Sequence, residues 1–203
     1  MNALLPGLCS PVEESSDEWH TPDDVLDFAR HVLGGPIDLD PCSHPAAQQR
    51  VQARLAVALP DDGLARDLWA GRVWLNPPYS NPRPWVERLL HFAAVESVSA
   101  FAVILHANAM LGTNYGLQLV KASAFLAFAG RVQFLRPDGA AGEAPRDASV
   151  IACGGADIQW PHANRSGWPV AALDVKPEPE PETKLWDCGY LAWTSAHAPA
   201  EGL

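Results

Sequence analysis

The sequence has no Cys-x-x-Cys pair: its four cysteines, Cys9, Cys42, Cys153 and Cys188, are scattered. Thiols spaced this way do not build a zinc ribbon or a disulfide framework, and they fit the reduced state of a cytosolic protein. No apolar run approaches membrane-spanning length, and Met1–Ser10 lacks the basic start of a secretory leader. A cytoplasmic protein without a membrane partner is therefore expected. His20, His44 and His106 with Cys42 match no metal-ligand spacing, so no metal is expected either. No internal repeat is apparent. Bases are also scarce, with 14 Lys and Arg against 24 Asp and Glu, for a net charge of −10. Such a balance weakens non-specific attraction to nucleic acid. The charge is unevenly placed, however. Residues 1–40 hold nine acids and one arginine, residues 41–150 ten bases and eight acids, and residues 151–203 three bases and seven acids. The middle of the chain is mildly basic and leaves room for a local cationic groove.

What is present is the material of one soluble globular domain. At 203 residues, with 48% hydrophobic and 19% charged, the chain can bury a substantial core. Residues 1–17 read as a loose acidic arm, 18–160 as the domain, and 161–203 as an extension carrying the solvated tether Lys176–Glu182 and the tryptophans Trp186 and Trp193. Thr21-Pro22-Asp23-Asp24 reads as a helix start, with a hydroxyl cap, proline in the first turn and acids near the positive end of the dipole. Val25, Phe28, Ala29, Val32 and Leu33 keep helical spacing until Gly34-Gly35-Pro36 ends the helix. Ile37–Asp40 is a short strand, followed by a helix-like polar stretch over residues 46–55. Val73–Leu75 is a second strand, and Pro84–Leu90 opens an amphipathic helix with Ser80 or Asn81 as its cap. The run Ala100–Leu105 is a strand covered on both faces. Tyr115–Lys121 is helical, and Phe125–Phe128, Arg131–Leu135 and Ser149–Cys153 are three more strands, the first two joined tightly at Ala129-Gly130. Strands alternating with helices predict an α/β fold with a mostly parallel sheet, and the late strands predict an antiparallel edge.

Asn76-Pro77-Pro78-Tyr79 follows the strand Val73–Leu75 directly. Two prolines fix φ near −65°, remove two donors and push their predecessors out of the helical region. The turn is stiff and extended, with its carbonyls pointing outward and unpaired. Asn76 adds a side-chain acceptor and Tyr79 a flat face. Acceptors converging beside a ring suit an exocyclic amino group on a heterocycle. Taken alone, the tetrapeptide is equally compatible with strand-ending punctuation. Asp40 and Asn76 both end predicted parallel strands, the edge where open α/β sheets bind their ligands.

With these segments assembled, the chain resembles the amino-directed, S-adenosylmethionine-dependent DNA methyltransferases, and within them the phage-type DNA N6-adenine methyltransferase (Dam-like) family. The resemblance is carried by Trp19–Pro22, Asp38–Ser43, Asp62-Gly63-Leu64, Asp67-Leu68-Trp69, Arg72–Tyr79, Gly130–Leu135 and Ser149–Ala152, across roughly residues 18–153. It implies a Rossmann-like methyltransferase sheet with helices on both faces, S-adenosylmethionine as cofactor and DNA as partner. It implies catalysis by Asn76, Pro77, Pro78 and Tyr79, with cofactor contacts from Trp19, Thr21, Pro22, Asp40, Pro41 and Asp67. Arg72, Arg83, Arg88 and Arg131, with Arg136, are the candidates for phosphate contacts. The general methyltransferase pattern has a glycine-rich turn after the first strand, whereas Pro41–Pro45 contains no glycine. No acidic residue for the cofactor ribose is evident. The same grip would serve cytosine N4, RNA adenine or a protein amide, and a non-catalytic phage binding protein could retain the fold. The later half of the chain leaves no room for a large recognition domain. A short or relaxed target, or a homodimer, is therefore expected.

Overall fold

The computed structural model describes residues 19–136, 138–142, 146–161 and 167–173. The apolar run identified in the sequence forms the longest strand, β4 (Val98–His106), seven of whose nine residues are buried. Alternate residues serve opposite faces of the sheet. Ala100, Ala102 and Ile104 join the core on one side, and Phe101, Val103 and Leu105 the core on the other. The two sides need different sizes. Helix α1 (Asp23–Val32) brings Val25, Leu26, Phe28 and Val32 to the first face, where Trp74 is also buried. Helix α3 (Arg83–Ala94) brings Val86, Leu89 and Phe92 to the second, beside Trp69 and Leu119 of α5 (Asn114–Ala122). Each such side chain contributes roughly 1.5–3 kcal/mol by leaving water, so polar substitutions at the buried positions of β4 are poorly tolerated.

Seven strands form one sheet in the order β2-β1-β3-β4-β6-β5-β7. The first four, β1 (Leu39–Ser43), β2 (Leu55–Ala58), β3 (Gly71–Leu75) and β4, are mutually parallel. β5 (Phe125–Gly130), β6 (Ser149–Gly154) and β7 (Val170–Ala172) add an antiparallel edge. The Rossmann-like α/β architecture expected from the sequence, with helices on both faces, is thus the one observed. The sheet draws its last strand from beyond residue 160, where the domain boundary was expected. The acidic arm and the Lys176–Glu182 tether lie outside the described residues.

Several local expectations are overturned. Pro22, not Thr21, is the N-cap of α1, and no side chain caps it; the Pro22 carbonyl accepts from Leu26 N–H at 3.2 Å. Pro82 takes the corresponding place in α3, ahead of Ser80 and Asn81, because its fixed φ suits the start of a helix. The first strand begins later and runs to Ser43 rather than ending at Asp40. Residues 46–55 form only one turn, α2 (Gln48–Val51), before entering β2, which the sequence reading missed. Arg131–Leu135 is not a strand of the sheet. It folds into an irregular hairpin in which Leu135 bridges to Ala141 and to His20, leaving the sheet at Gly130 with φ +66°. Its exposed–buried alternation mimics a strand, but its partner is the segment ahead of α1.

The amino ends of β1 and β3 are tied by an ion pair. Arg72 Nε and Nη2 donate to the two Asp38 carboxylate oxygens at 2.8 and 3.1 Å, and Arg72 N–H donates to the same carboxylate at 3.0 Å. Arg54 adds a contact at 3.1 Å. Glycine is required around this pair: a Cβ on Gly71 would stand 2.8 Å from Asp38 Oδ2, and one on Gly35 2.4 Å from Arg72 Nη1.

Candidate active site

Strand order reverses direction at β1, whose neighbours are β2 on one side and β3 on the other. Such a switch point opens a crevice at the carboxyl ends of the strands. A pocket of about 520 Å³ occupies it here. Its walls come from the segment entering α1, from the Asp40–Pro45 turn of β1, from the loop after β2 and from Asn76–Tyr79 after β3. Four segments distant in sequence are brought to one cavity of a size usual for organic ligands.

Asn76 leaves β3 with its amide nitrogen donating to Thr21 Oγ1 at 3.3 Å. Its Oδ1 is buried without a hydrogen-bond partner among the described residues. A buried, unsatisfied amide oxygen costs about 1–3 kcal/mol, and a donor supplied by a ligand would remove that cost. Pro77 is buried behind it. One detail of the turn differs from expectation: the Pro78 carbonyl is not unpaired, since it accepts from Asn81 N–H at 3.2 Å. That bond tightens the turn. The Tyr79 ring lies against His106 at 4.1 Å and meets Phe134 edge-on at 5.8 Å. Burial pushes the Tyr79 phenol up, so it stays protonated.

Asp40 lines the pocket and is 3% exposed. Pro41 cannot donate to the ladder, and the β1–β2 register is irregular between Asp40 and Ser43. The carboxylate accepts from Gln48 Nε2 at 2.8 Å and, more weakly, from Cys42 N–H at 3.4 Å. Gln48 Nε2 also reaches Ser43 Oγ at 2.6 Å, while its carbonyl accepts from Ala53 N–H at 3.0 Å. Burial outweighs these bonds and raises the Asp40 carboxyl to about 6. A buried carboxylate so poised is suited to a cationic ligand, whose charge would offset its desolvation.

The β1 turn has no glycine of its own, and a glycine from the loop after β2 packs against it. Gly63 packs so closely on this turn that a Cβ would fall 1.8 Å from the Pro41 carbonyl oxygen. The Gly63 carbonyl is held by Trp69 Nε1 at 3.0 Å, and Trp69 in turn lies near Trp85 and Phe92. Gly63, in the loop after β2, thus lets that loop pack directly on the β1 turn.

Of the residues singled out in the sequence, Trp19, Thr21, Asp40, Pro41, Asn76, Pro77, Pro78 and Tyr79 line the one pocket. Pro22, the N-cap of α1, does not line it. Asp67 is exposed and does not line it; the carboxylates that do are Asp40, Asp61 and Asp62. Asp62 also accepts from Leu64 N–H at 2.8 Å. Arg72 sits at the amino ends of the strands, occupied by Asp38, and is removed from the phosphate candidates on that ground. Arg88 donates to the Arg66 carbonyl and lies over the Phe92 ring. Arg83 is exposed and paired with Glu87 at 2.7 Å, and Arg131 is exposed. Sequence reasoning assigned no site role to Gln48 of α2, Asp61 of the loop after β2, Trp85 of α3 or His106 at the end of β4, and it quoted Gly63 only as part of the resemblance. Among the described residues there is no cluster of three or more potential metal ligands, and no helix is long and apolar enough to cross a membrane.

The comparisons with known proteins point the same way. The family model described as DNA N-6-adenine-methyltransferase (Dam) matches residues 10–151, well over half of the chain. A DNA N-6-adenine-methyltransferase of Haemophilus phage HP1 (strain HP1c1) is 34% identical over 79 residues, which are 38% of this chain and 43% of that protein. The chain thus spans under half the length of that relative. Fold, pocket and family match agree: the chain belongs to the DNA N-6-adenine-methyltransferase (Dam) family.

Proposed function

We propose that this chain transfers a methyl group from S-adenosylmethionine to the N6 amino group of a flipped-out adenine in DNA. The observation that carries the reading is the Asn76 amide, anchored through its nitrogen to Thr21 with its oxygen buried and unsatisfied at the pocket. An adenine amino group supplies two N–H donors, one for Asn76 Oδ1 and one for the Pro77 carbonyl. Both bonds favour a pyramidal nitrogen with a localised lone pair, the form it takes in the transition state. By analogy with oxyanion donors, each is worth on the order of 3 kcal/mol. Tyr79 offers its ring to the base, a stack worth roughly 1–3 kcal/mol. A base inside a duplex cannot reach this depth, so it must be extruded.

When bound, S-adenosylmethionine supplies an electrophilic methyl group. The residues that fit it are Asp40, for a cationic centre, and Thr21, Pro41 and Trp19 around it, with Asp61 or Asp62 for ribose hydroxyls. Holding nitrogen and methyl in line is the other main contribution of the site. Asp67, exposed and outside the pocket, is not retained in this role. Arg83, beside the catalytic turn, and Arg131 are the arginines best placed for phosphate contacts, and cytoplasmic DNA is the substrate. With no separate recognition domain among the described residues, the target is short or relaxed, or is read by a homodimer. A strict site of about six or more base pairs would contradict this. The test is incubation of the purified chain with S-adenosylmethionine and unmethylated DNA, followed by mass spectrometry of nucleosides. N6-methyladenine is expected. N4-methylcytosine, or methylation of RNA alone, would move the reading to another amino-directed methyltransferase. Absence of heat on titration with S-adenosylmethionine would reduce the chain to a binding protein.

A further inference from the structure

His106 ends β4 and stands at the N-cap of α4 (Ala107–Gly112). Its backbone is fixed from one side, since it pairs with Ser149 of β6 and the next residue, Ala107, donates to the Ala148 carbonyl at 2.8 Å. Cap positions favour short oxygen-bearing side chains that bond the first turn. His106 makes no such bond. Its ring instead covers Tyr79, with centroids 4.1 Å apart and planes tilted by 39°. Phe134 closes a second side of Tyr79, edge-on at 77°.

The Tyr79 hydroxyl and His106 Nδ1 are both buried and have no hydrogen-bond partner among the described residues. No hydrogen bond therefore fixes the orientation of Tyr79, which depends on the two rings packed against it. Tyr79 lines the pocket, whereas His106 does not. His106 therefore backs the ring on the side away from the base. We propose that His106 is a positioning residue for the target base, holding Tyr79 so that adenine stacks on its free face with N6 at Asn76. This rests on the methyl-transfer reading above. The imidazole acts here as a ring on a rigid strand end, not as a proton carrier.

The test compares the full-length chain with His106→Ala and His106→Phe. Its substrate is a duplex whose methylated adenine, mapped first by sequencing DNA treated with wild type, is replaced by the fluorescent analogue 2-aminopurine for the binding measurements. His106→Ala should lower kcat roughly 10- to 100-fold, as expected for a misplaced, poorly stacked base. It should also brighten the extruded 2-aminopurine, because the quenching stack is loosened, and leave the calorimetric Kd for S-adenosylmethionine within about twofold. His106→Phe should restore all three readings to within about threefold of wild type. Wild-type rates in His106→Ala, a phenylalanine variant no better than alanine, or a parallel loss of cofactor binding would each overturn the proposal. Failure of wild type itself to methylate DNA would overturn the underlying reading and the proposal with it, a result distinguishable from failure of the His106 role alone.

Discussion

Asn76 is held by one hydrogen bond and offers one oxygen, so the residue that holds it should matter as much to rate as to shape. Thr21→Val removes the acceptor for the Asn76 amide while keeping the bulk. A neutral hydrogen bond of about 1 kcal/mol corresponds to a fall in kcat of roughly 3- to 10-fold. Thr21→Ser should retain the wild-type rate, and initial rates at saturating cofactor and DNA would check both. Asp40 makes a prediction of opposite sign for stability and for binding. Burial raises its pKa from the ordinary 3.8 to about 6, so the folded chain holds this proton more tightly than the unfolded chain. Its contribution to stability is complete below the unfolded value and is lost as pH rises through about 6. Ligand-free Asp40→Asn should therefore melt above wild type at pH 7.5, by an amount reflecting at most roughly 3 kcal/mol, and match it near pH 4. Affinity for the cationic cofactor should instead climb as the carboxylate forms between about pH 5 and 7, and Asp40→Asn should lose that climb in calorimetry. Asn76 was legible in the sequence because two prolines flagged it. Thr21 was singled out for the cofactor and as the cap of α1; the cap falls to Pro22, and only the fold shows Thr21 holding Asn76 after β3. His106 gave no signal, because its partner Tyr79 is far off in sequence.

Elements that carry a strong period were legible: α1, β3, α3, β4 and the pair β5 and β6 all lie where apolar spacing puts them. β2 and β7 were missed because edge strands are short and only half buried, so neither alternation nor a long apolar run marks them. Arg131–Leu135 went the other way, since alternation is a statement about two faces and not about hydrogen-bond partners. At this scale the Asp38–Arg72 pair makes a prediction. The guanidinium hydrogen-bonded to Asp38 lowers the carboxyl below its ordinary value, against the opposing effect of burial. The stabilisation is present above the unfolded pKa and lost as pH falls through the folded one. Asp38→Asn should lower the melting temperature by about 2–6 °C at pH 7, with the gap closing towards pH 3. Methyl transfer per folded molecule should be unchanged, because the pair lies at the end of the sheet opposite the pocket. Gly63→Ala tests the glycine that faces the β1 turn. Its Cβ would meet the Pro41 carbonyl oxygen at 1.8 Å, and forcing the two apart costs about 1–3 kcal/mol. Cofactor affinity should fall more than DNA affinity, measured by calorimetry and by gel shift.

For the whole molecule, the net charge of −10 hides a basic middle, and the acidic ends fall largely outside the described residues. Arg83→Ala and Arg131→Ala should each weaken DNA binding and flatten its salt dependence by about one ion, while leaving cofactor affinity intact. The site itself was legible in outline because Asp40 and Asn76–Tyr79 end or follow parallel strands at one switch point, which topology converts into a single pocket with the segment entering α1. The wall from the loop after β2 was not, because Leu59, Asp61 and Asp62 enter it only through packing, and the end of β4 reaches it only indirectly, through Tyr79. The central claim is that Asn76 grips adenine N6 for methylation. It is tested most directly by nucleoside mass spectrometry of DNA from cells that lack their own adenine methylation and express either wild type or Asn76→Ala. The account predicts N6-methyladenine with wild type and none above background with Asn76→Ala, although the variant still binds S-adenosylmethionine. Equal N6-methyladenine from both chains, or none from a wild-type chain that binds the cofactor, would contradict it.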